Sequence, residues 1–192
     1  EDQGVYVVDV TDRQSPFSRG RLRGRAKDVA ICGDFLLVGD FEAGLRIVEI
    51  GHSPLGDQIS AIQSSGEAES VALSERCAFL ADRDGGIQVI DIRDPCNPRR
   101  LATYDGPGDA CGVAFERNHL FVAAQSAGLL ILDVSAPQEP VLLSQKLLNG
   151  PACGLAVAGD YAYVAAADAG LEIIDVQDAH NPKRSGGCEN QG

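Results

Sequence analysis

Methionine and tryptophan are both missing from the 192 residues, which begin Glu1-Asp2-Gln3-Gly4. Without an initiating methionine the chain reads as a processed product, a trimmed form or a fragment of a longer parent. No apolar run approaches the roughly 18 residues of a spanning helix, and no basic-then-apolar leader opens the chain, so direct membrane insertion is not expected. Positive charge is scarce, with 16 Lys and Arg against 28 Asp and Glu, a formal net charge of -12. Such a surface repels phosphate backbones, which removes nucleic acid from the expected partners. Aromatics make up only 5% while glycines number 22, a balance that suits short strands and tight turns better than packed helices. There is no phosphate-binding Gly-x-x-x-x-Gly-Lys-Ser/Thr, no His-Glu-x-x-His, no Gly-x-Ser-x-Gly and no Cys-x-x-Cys. No cofactor, metal or catalytic residue is expected.

What the chain does contain is one phrase written five times: Gly4-Val5-Tyr6-Val7-Val8-Asp9-Val10, Gly44-Leu45-Arg46-Ile47-Val48-Glu49-Ile50, Gly86-Ile87-Gln88-Val89-Ile90-Asp91-Ile92, Gly128-Leu129-Leu130-Ile131-Leu132-Asp133-Val134 and Gly170-Leu171-Glu172-Ile173-Ile174-Asp175-Val176. The steps between the leading glycines are 40, 42, 42 and 42 residues, and a fixed period of that length signals a repeat architecture. Each phrase alternates apolar residues onto both faces, as a strand covered on both sides must. The leading glycine fits a tight turn that needs positive φ. The variable third slot, Tyr6, Arg46, Gln88, Leu130 and Glu172, is expected near a rim.

Two further strands precede each phrase in the full units, as in Ser70-Val71-Ala72-Leu73 and Cys77-Ala78-Phe79-Leu80, and a fourth is expected after the proline, as in Arg99 to Tyr104. Four short antiparallel strands per period of about 42 is the arithmetic of a propeller blade. The fold expected is all-β, a β-propeller of four-stranded antiparallel blades, present as an incomplete arc of a larger ring. Its units are a half blade at 4–22 and blades at 28–64, 70–106, 112–148 and 154–187, the outer strand of the last being weak because it runs through Ser185, Gly186 and Gly187. An open arc exposes apolar faces and unpaired edges.

The repeated carboxylates Asp9, Glu49, Asp91, Asp133 and Asp175 invite a metal or acid-base role, but around a ring they stand too far apart to share an ion. Each precedes a Ser-, Asp- or Pro-rich turn, so hydrogen bonding to that turn is expected instead. Pro16, Pro98, Pro140 and Pro182 each lie seven residues after their aspartate, and Pro54 lies five after Glu49. Asp40 and Asp82 occupy equivalent positions, but Ala124 and Ala166 replace them in the next two units, which weakens a calcium site there. His119 shares a strand slot with Phe35, Cys77 and Tyr161 and should pack; His52 and His180 lie in turns. Cys32 and Cys77 fall in apolar strands and read as small buried hydrophobes.

The stretch Gly159-Asp160-Tyr161-Ala162-Tyr163-Val164-Ala165-Ala166-Ala167-Asp168-Ala169-Gly170-Leu171-Glu172-Ile173-Ile174-Asp175-Val176, followed by Asn181-Pro182 and echoed three times earlier, resembles the LVIVD-repeat family. The resemblance implies a propeller of bacterial or archaeal type, in many members exported or surface-attached, with no catalytic activity assigned to the repeat. It brings no functional residues with it. The lack of tryptophan separates the chain from quinoprotein propellers, whose blade signature depends on that residue.

Function is therefore expected to be that of a non-catalytic scaffold or binding module for protein or carbohydrate ligands, extracellular or at the cell surface, with the remaining blades of a longer parent as further partners. The alternative is a hydrolase or lyase with carboxylates at the channel mouth. In an antiparallel four-stranded blade, the turn between strands two and three and the link into the next blade emerge on one rim, and the proline turns on the other. Binding is expected on the first rim, which gathers Phe41, Glu42, Arg83, Asp84, Gln125, Ser126 and Asp168 with Lys27, Glu69, Asp109, Cys111 and Cys153. Cys111 and Cys153 are equivalent positions and should face neighbouring blades, packed and inert, or else as a disulfide, a metal pair or a reactive thiol.

Overall fold

The computed structural model describes residues 4–50 and 58–189. It consists of a two-stranded sheet followed by four four-stranded antiparallel meanders. The half sheet pairs β1 (Gly4–Asp9) with β2 (Phe17–Arg23). The first full blade runs β3 (Ala26–Cys32), β4 (Phe35–Asp40), β5 (Gly44–Glu49) and β6 (Gln58–Ile62). The second runs β7 (Ser70–Leu73), β8 (Cys77–Ala81), β9 (Ile87–Asp91) and β10 (Arg99–Tyr104). The third runs β11 (Gly112–Glu116), β12 (His119–Ala123), β13 (Leu129–Asp133) and β14 (Val141–Lys146). The fourth runs β15 (Gly154–Ala158), β16 (Tyr161–Ala165), β17 (Leu171–Asp175) and β18 (Lys183–Cys188). The shortened turn expected around Pro54, and His52, lie outside the described residues.

The last outer strand is present: β18 pairs with β17 from Lys183 opposite Asp175 to Cys188 opposite Leu171. Its glycines contribute little side-chain packing, so the ladder itself holds the strand against β17. The leading glycines behave as their position requires, with φ of +76° at Gly44, +72° at Gly86, +80° at Gly128 and +79° at Gly170.

A device repeated in every unit is a bulge between the third and fourth strands. The register slips opposite Val7/Val8, Ile47/Val48, Ile131/Leu132 and Ile173/Ile174, and between Arg100 and Ala102 in the second blade. The extra residues are Arg19, Ile59, Leu101, Leu143 and Ser185. In the first three full blades the bulged side chain packs onto an inter-blade cluster.

The core lies between sheets. Leu37, Leu45 and Ile47 of the first blade meet Val71, Leu80 and Ile90 of the second. Phe79 and Val89 meet Leu120, Val122 and Leu132. Phe121, Leu129 and Ile131 meet Ala162, Val164 and Ile174. The central strands of the first three full blades therefore bury both faces. The innermost strands β3, β7, β11 and β15 adjoin in series. Asp28 Oδ2 accepts from Ser70 Oγ at 2.8 Å and from the Val71 N–H at 2.9 Å, while a Cβ on Gly112 would come within 3.1 Å of Gly154 Cα. On the outer side Ser60 Oγ and Ser144 Oγ each donate to a carbonyl of the next blade, at Pro95 and Ala179, both at 2.6 Å. The series does not close. Tyr6 is 61% exposed at one end, and Tyr161 and Leu171 are 40% and 39% exposed at the other.

Candidate functional site

The rim carrying the glycine turns is built from two loops strapped together. In the second blade the turn at 82–86 is closed by Asp82 N–H to Gly86 C=O at 2.9 Å and by Gly85 N–H to Asp82 C=O at 2.7 Å. Arg83 at its tip sits at φ +47°, and Gln125 and Ala167 hold the same left-handed conformation at +48° and +45°. Non-glycine residues pay strain there, which persists only where surrounding bonds enforce it. The enforcing bonds are mutual: Arg83 N–H to Ala110 C=O at 3.0 Å and Ala110 N–H back at 3.2 Å, with Gln125 and Ala152 doing the same at 3.1 and 2.9 Å. Each of these two turns is thereby tied to the link that leads into the following blade. The first blade differs, since Phe41 N–H donates to Arg25 of its own blade at 3.0 Å.

The slot at Arg46, Gln88 and Glu172 holds these loops from within; it does not decorate the rim surface. Gln88 is fully buried, donates from Nε2 to Gly85 C=O at 2.7 Å and accepts from Thr103 Oγ1 at 2.8 Å. Where Leu130 stands in that slot, Gln145 on the adjacent strand supplies the donor instead, to Ala127 C=O at 3.0 Å. Glu172 accepts from the Asn149 N–H at 2.6 Å and from Arg184 Nε at 3.0 Å. Asp40 and Asp82, also buried, serve the same loops: Asp82 Oδ2 accepts from the Ser65 and Gly66 N–H groups at 3.1 and 2.9 Å. Among the described residues no three of His, Cys, Asp and Glu converge as ligands for an ion.

On this frame the surface is a chain of ion pairs. Arg83 reaches Glu67 at 3.0 Å and Glu69 at 3.3 Å, and Lys27 reaches Glu69 at 3.3 Å. The Glu67 hydrogen bond pushes the Arg83 pKa further up, so the guanidinium stays charged. Arg25 pairs with Glu42 at 3.2 Å and lies 4.1 Å above the Phe41 ring, where Lys27 also sits at 5.1 Å. Asp84, Asp109, Ser126 and Asp168 are exposed tips. Asp84 and Asp109 border a shallow hollow with Ser65, Gly66, Glu67 and Arg83. Glu67 and Arg25 were not anticipated; Glu67 lies in the link before β7, where no strand pattern marks it.

The two cysteines of this rim are free, as are the other four. Cys111 Sγ accepts from Gln125 Nε2 at 3.0 Å, and exposed Cys153 lies 3.4 Å from Pro151 C=O. No disulfide joins them.

The opposite rim carries the aspartate turns. The Asp9, Asp91, Asp133 and Asp175 Oδ1 atoms accept from the N–H two residues on, at 2.9, 3.0, 2.8 and 3.0 Å. Arg93 beside Asp91 holds that carboxyl down at about 2, and hydrogen bonds from Thr11 and Ser135 lower Asp9 and Asp133. The displaced carboxylates thus all move downward, away from the raised values a general acid requires.

Comparison with known families settles the classification. The LVIVD repeat model matches residues 23–54, 65–106, 107–145 and 149–189. The chain belongs to the LVIVD repeat family. No curated protein matches it. Among solved structures it is similar to a protein of unknown function from Desulfotomaculum acetoxidans, with a TM-score of 0.78 at 14% identity over 98% of this chain and 64% of that one. It is also similar to the β-propeller domain of Cps50 (Swd1) from Myceliophteria thermophila, TM-score 0.70 at 13% identity over 90% and 63%, and to U3-55K, TM-score 0.69 at 13% identity over 83% and 51%. These likenesses show the propeller fold, and the LVIVD array spans less than two thirds of each of the three.

Proposed function

We propose that this LVIVD array is a non-catalytic binding scaffold, exported or displayed at the cell surface as part of a larger propeller, and that it engages a protein ligand through the glycine-turn rim. The observation that carries this reading is the strapping of the second- and third-blade turns to the following links, which presents Arg83, Asp84, Asp109, Gln125 and Ser126 from a fixed frame. A pre-organised surface loses little conformational freedom on binding. A carbohydrate ligand is less favoured, because sugars stack on exposed aromatic rings, and among the described residues the rings at this rim, Phe41 and Tyr104, are half-buried, Phe41 being already covered by Arg25. With Arg83, Lys27 and Arg25 engaged by Glu67, Glu69 and Glu42, the exposed carboxylates at Asp84, Asp109 and Asp168 give the rim an acidic character. A partner presenting Lys or Arg fits it.

The test is surface plasmon resonance of the immobilised protein against lysine/arginine-rich peptides, glutamate-rich peptides and neutral glycans at low and high salt. Salt-sensitive binding of the basic peptides, lost in the Asp84→Lys/Asp109→Lys double variant and kept in Glu139→Lys on the opposite rim, is expected. Binding lost through Glu139→Lys and untouched by the double variant would place the contact on the wrong rim. Fractionation of the native host with an antibody to the chain tests the location.

A further inference from the structure

A cleft opens on the proline-turn rim, between the second and third blades. It measures about 460 Å³, within the range of small-molecule sites, and its floor and walls include Cys77, Phe79, Phe115, Val134 and Pro137. One repeat slot explains it. The position held by Cys77 is Phe35 in the first blade, His119 in the third and Tyr161 in the fourth, each opening the second strand of its blade. Phe35 packs its ring on the cluster between the first two blades. In the second blade a thiol takes the place of a ring, so the volume an aromatic side chain would fill is left open toward the rim. Phe115 does not refill it. Its ring lies against Phe79, centroids 5.4 Å apart and planes 15° from parallel, and so forms a flat wall.

The polar lip is as specific as the floor. Cys77 is 2% exposed and burial pushes its thiol pKa up, which makes the floor neutral and apolar. Ser74, Glu75, Arg76, Arg117, Asn118 and Ser135 complete the lining. Arg117 is engaged, at 3.1 Å from Asp160 and 3.5 Å from Glu116. Arg76 has its backbone fixed on both sides, N–H to Ser74 Oγ at 3.4 Å and C=O to Ile92 N–H at 2.9 Å, yet its guanidinium forms no ion pair among the described residues. Arg76, with Glu75 beside it, thus stands at the mouth of the gap as a cation without an ion pair among the described residues.

We propose that this cleft is a binding site for a small aromatic carboxylate, its ring occupying the gap above Cys77 along the Phe115 wall and its carboxylate pairing with Arg76. The ring replaces the aromatic side chain that this blade lacks, and the carboxylate gives Arg76 a charge-assisted partner. The site is on the rim opposite the proposed protein contact, so neither result decides the other.

Isothermal titration with 2-naphthoate, and with 2-naphthol as the neutral ring of the same size, tests both halves. Saturable binding of 2-naphthoate to the intact protein is expected, with Arg76→Gln weakening it about tenfold and leaving 2-naphthol unchanged. Cys77→Phe restores the ring of the first blade and should abolish both. Cys77→Leu is a smaller filling that secures the same reading should the phenylalanine variant not fold, and thermal unfolding monitors both. No saturable binding of 2-naphthoate to the intact protein, or equal binding by the filled variants, overturns the site. Equal loss of both probes in Arg76→Gln overturns the carboxylate.

Discussion

Asp40→Ala should be among the most destabilising changes at any turn of this chain. The side chain is 3% exposed and accepts four hydrogen bonds: from the Glu42 and Ala43 N–H groups at 3.1 Å each, from the Arg25 N–H at 3.1 Å and from Arg46 Nη1 at 3.0 Å. Truncation leaves three backbone donors unsatisfied and strips the guanidinium, itself 13% exposed, of its counter-charge. Arg46 keeps Arg23 C=O and Gln58 Oε1, which softens the loss on its side. Donors orphaned in partly buried surroundings and a broken, largely buried pair together cost about 3–4 kcal/mol, against the roughly 5–15 kcal/mol that stabilises a typical domain. Asp40→Asn retains one acceptor oxygen and should cost about half as much. Urea unfolding followed by circular dichroism should show a lower midpoint with an unchanged slope. Asp84→Ala, an exposed tip in the equivalent turn of the next blade, should stay within about 0.5 kcal/mol. A cost below about 1 kcal/mol for Asp40→Ala would refute the reasoning, because it would mean that water or the loop itself satisfies those donors.

Asp91, held at about 2 chiefly by Arg93, has a folded pKa below the roughly 3.9 of an unfolded aspartate, so its contribution to stability is present above about pH 4 and is lost as pH falls through 2. The stability difference between the native chain and Asp91→Asn should therefore shrink over that window, and a difference constant with pH would count against it. Gly86→Ala should cost about 2 kcal/mol or more, since φ is +72° and a Cβ would lie 2.3 Å from the Tyr104 carbonyl oxygen; Gly33→Ala, at φ +57° with open space around it, should cost about 1 kcal/mol. Equal costs in thermal unfolding would show that backbone strain, and not the close approach, sets the penalty. Leu171→Glu should reduce self-association in sedimentation velocity without unfolding the chain, whereas Leu129→Glu at the equivalent, fully buried position of the third blade should unfold it.

The parts of the fold legible in the sequence are those encoded locally. A glycine at positive φ, an alternation covered on both faces and an aspartate capping its own turn each declare themselves within a few residues. The bulge does not, because its aliphatic Ile59, Leu101 and Leu143 give way to Arg19 and Ser185 in the first and last units, and no residue type marks the slip in register. The slot of Gln88 and Glu172 was legible only as a place near a rim; that it is buried follows from the loop carbonyls and N–H groups behind the rim, which need partners that these side chains supply. Antiparallel parity alone placed Arg83 and Asp109 on one rim. The pairing of Arg83 with Glu67 crosses from a turn to an inter-blade link, and no local pattern carries it. Cys77 was visible in an otherwise aromatic slot, but the vacancy it leaves depends on where the Phe115 ring goes.

The two rims divide the demands made on the repeat. On the proline-turn side, Asp9, Asp91, Asp133 and Asp175 perform one internal task, accepting the N–H two residues ahead, and that task admits only a short acceptor at each place. On the glycine-turn side, the internal tasks fall to the buried Asp40, Gln88 and Glu172 and to Gln145 on an outer strand, which differ from blade to blade yet all hold loops in place. The tips above them, Asp84, Ser126 and Asp168, are exposed, and Glu42, also exposed, pairs with Arg25. The mutual bonds of Arg83 with Ala110 and of Gln125 with Ala152, by contrast, run through the backbone and so do not depend on which side chains those tips carry. A repeat arranged this way can vary its rim tips without changing how it stacks.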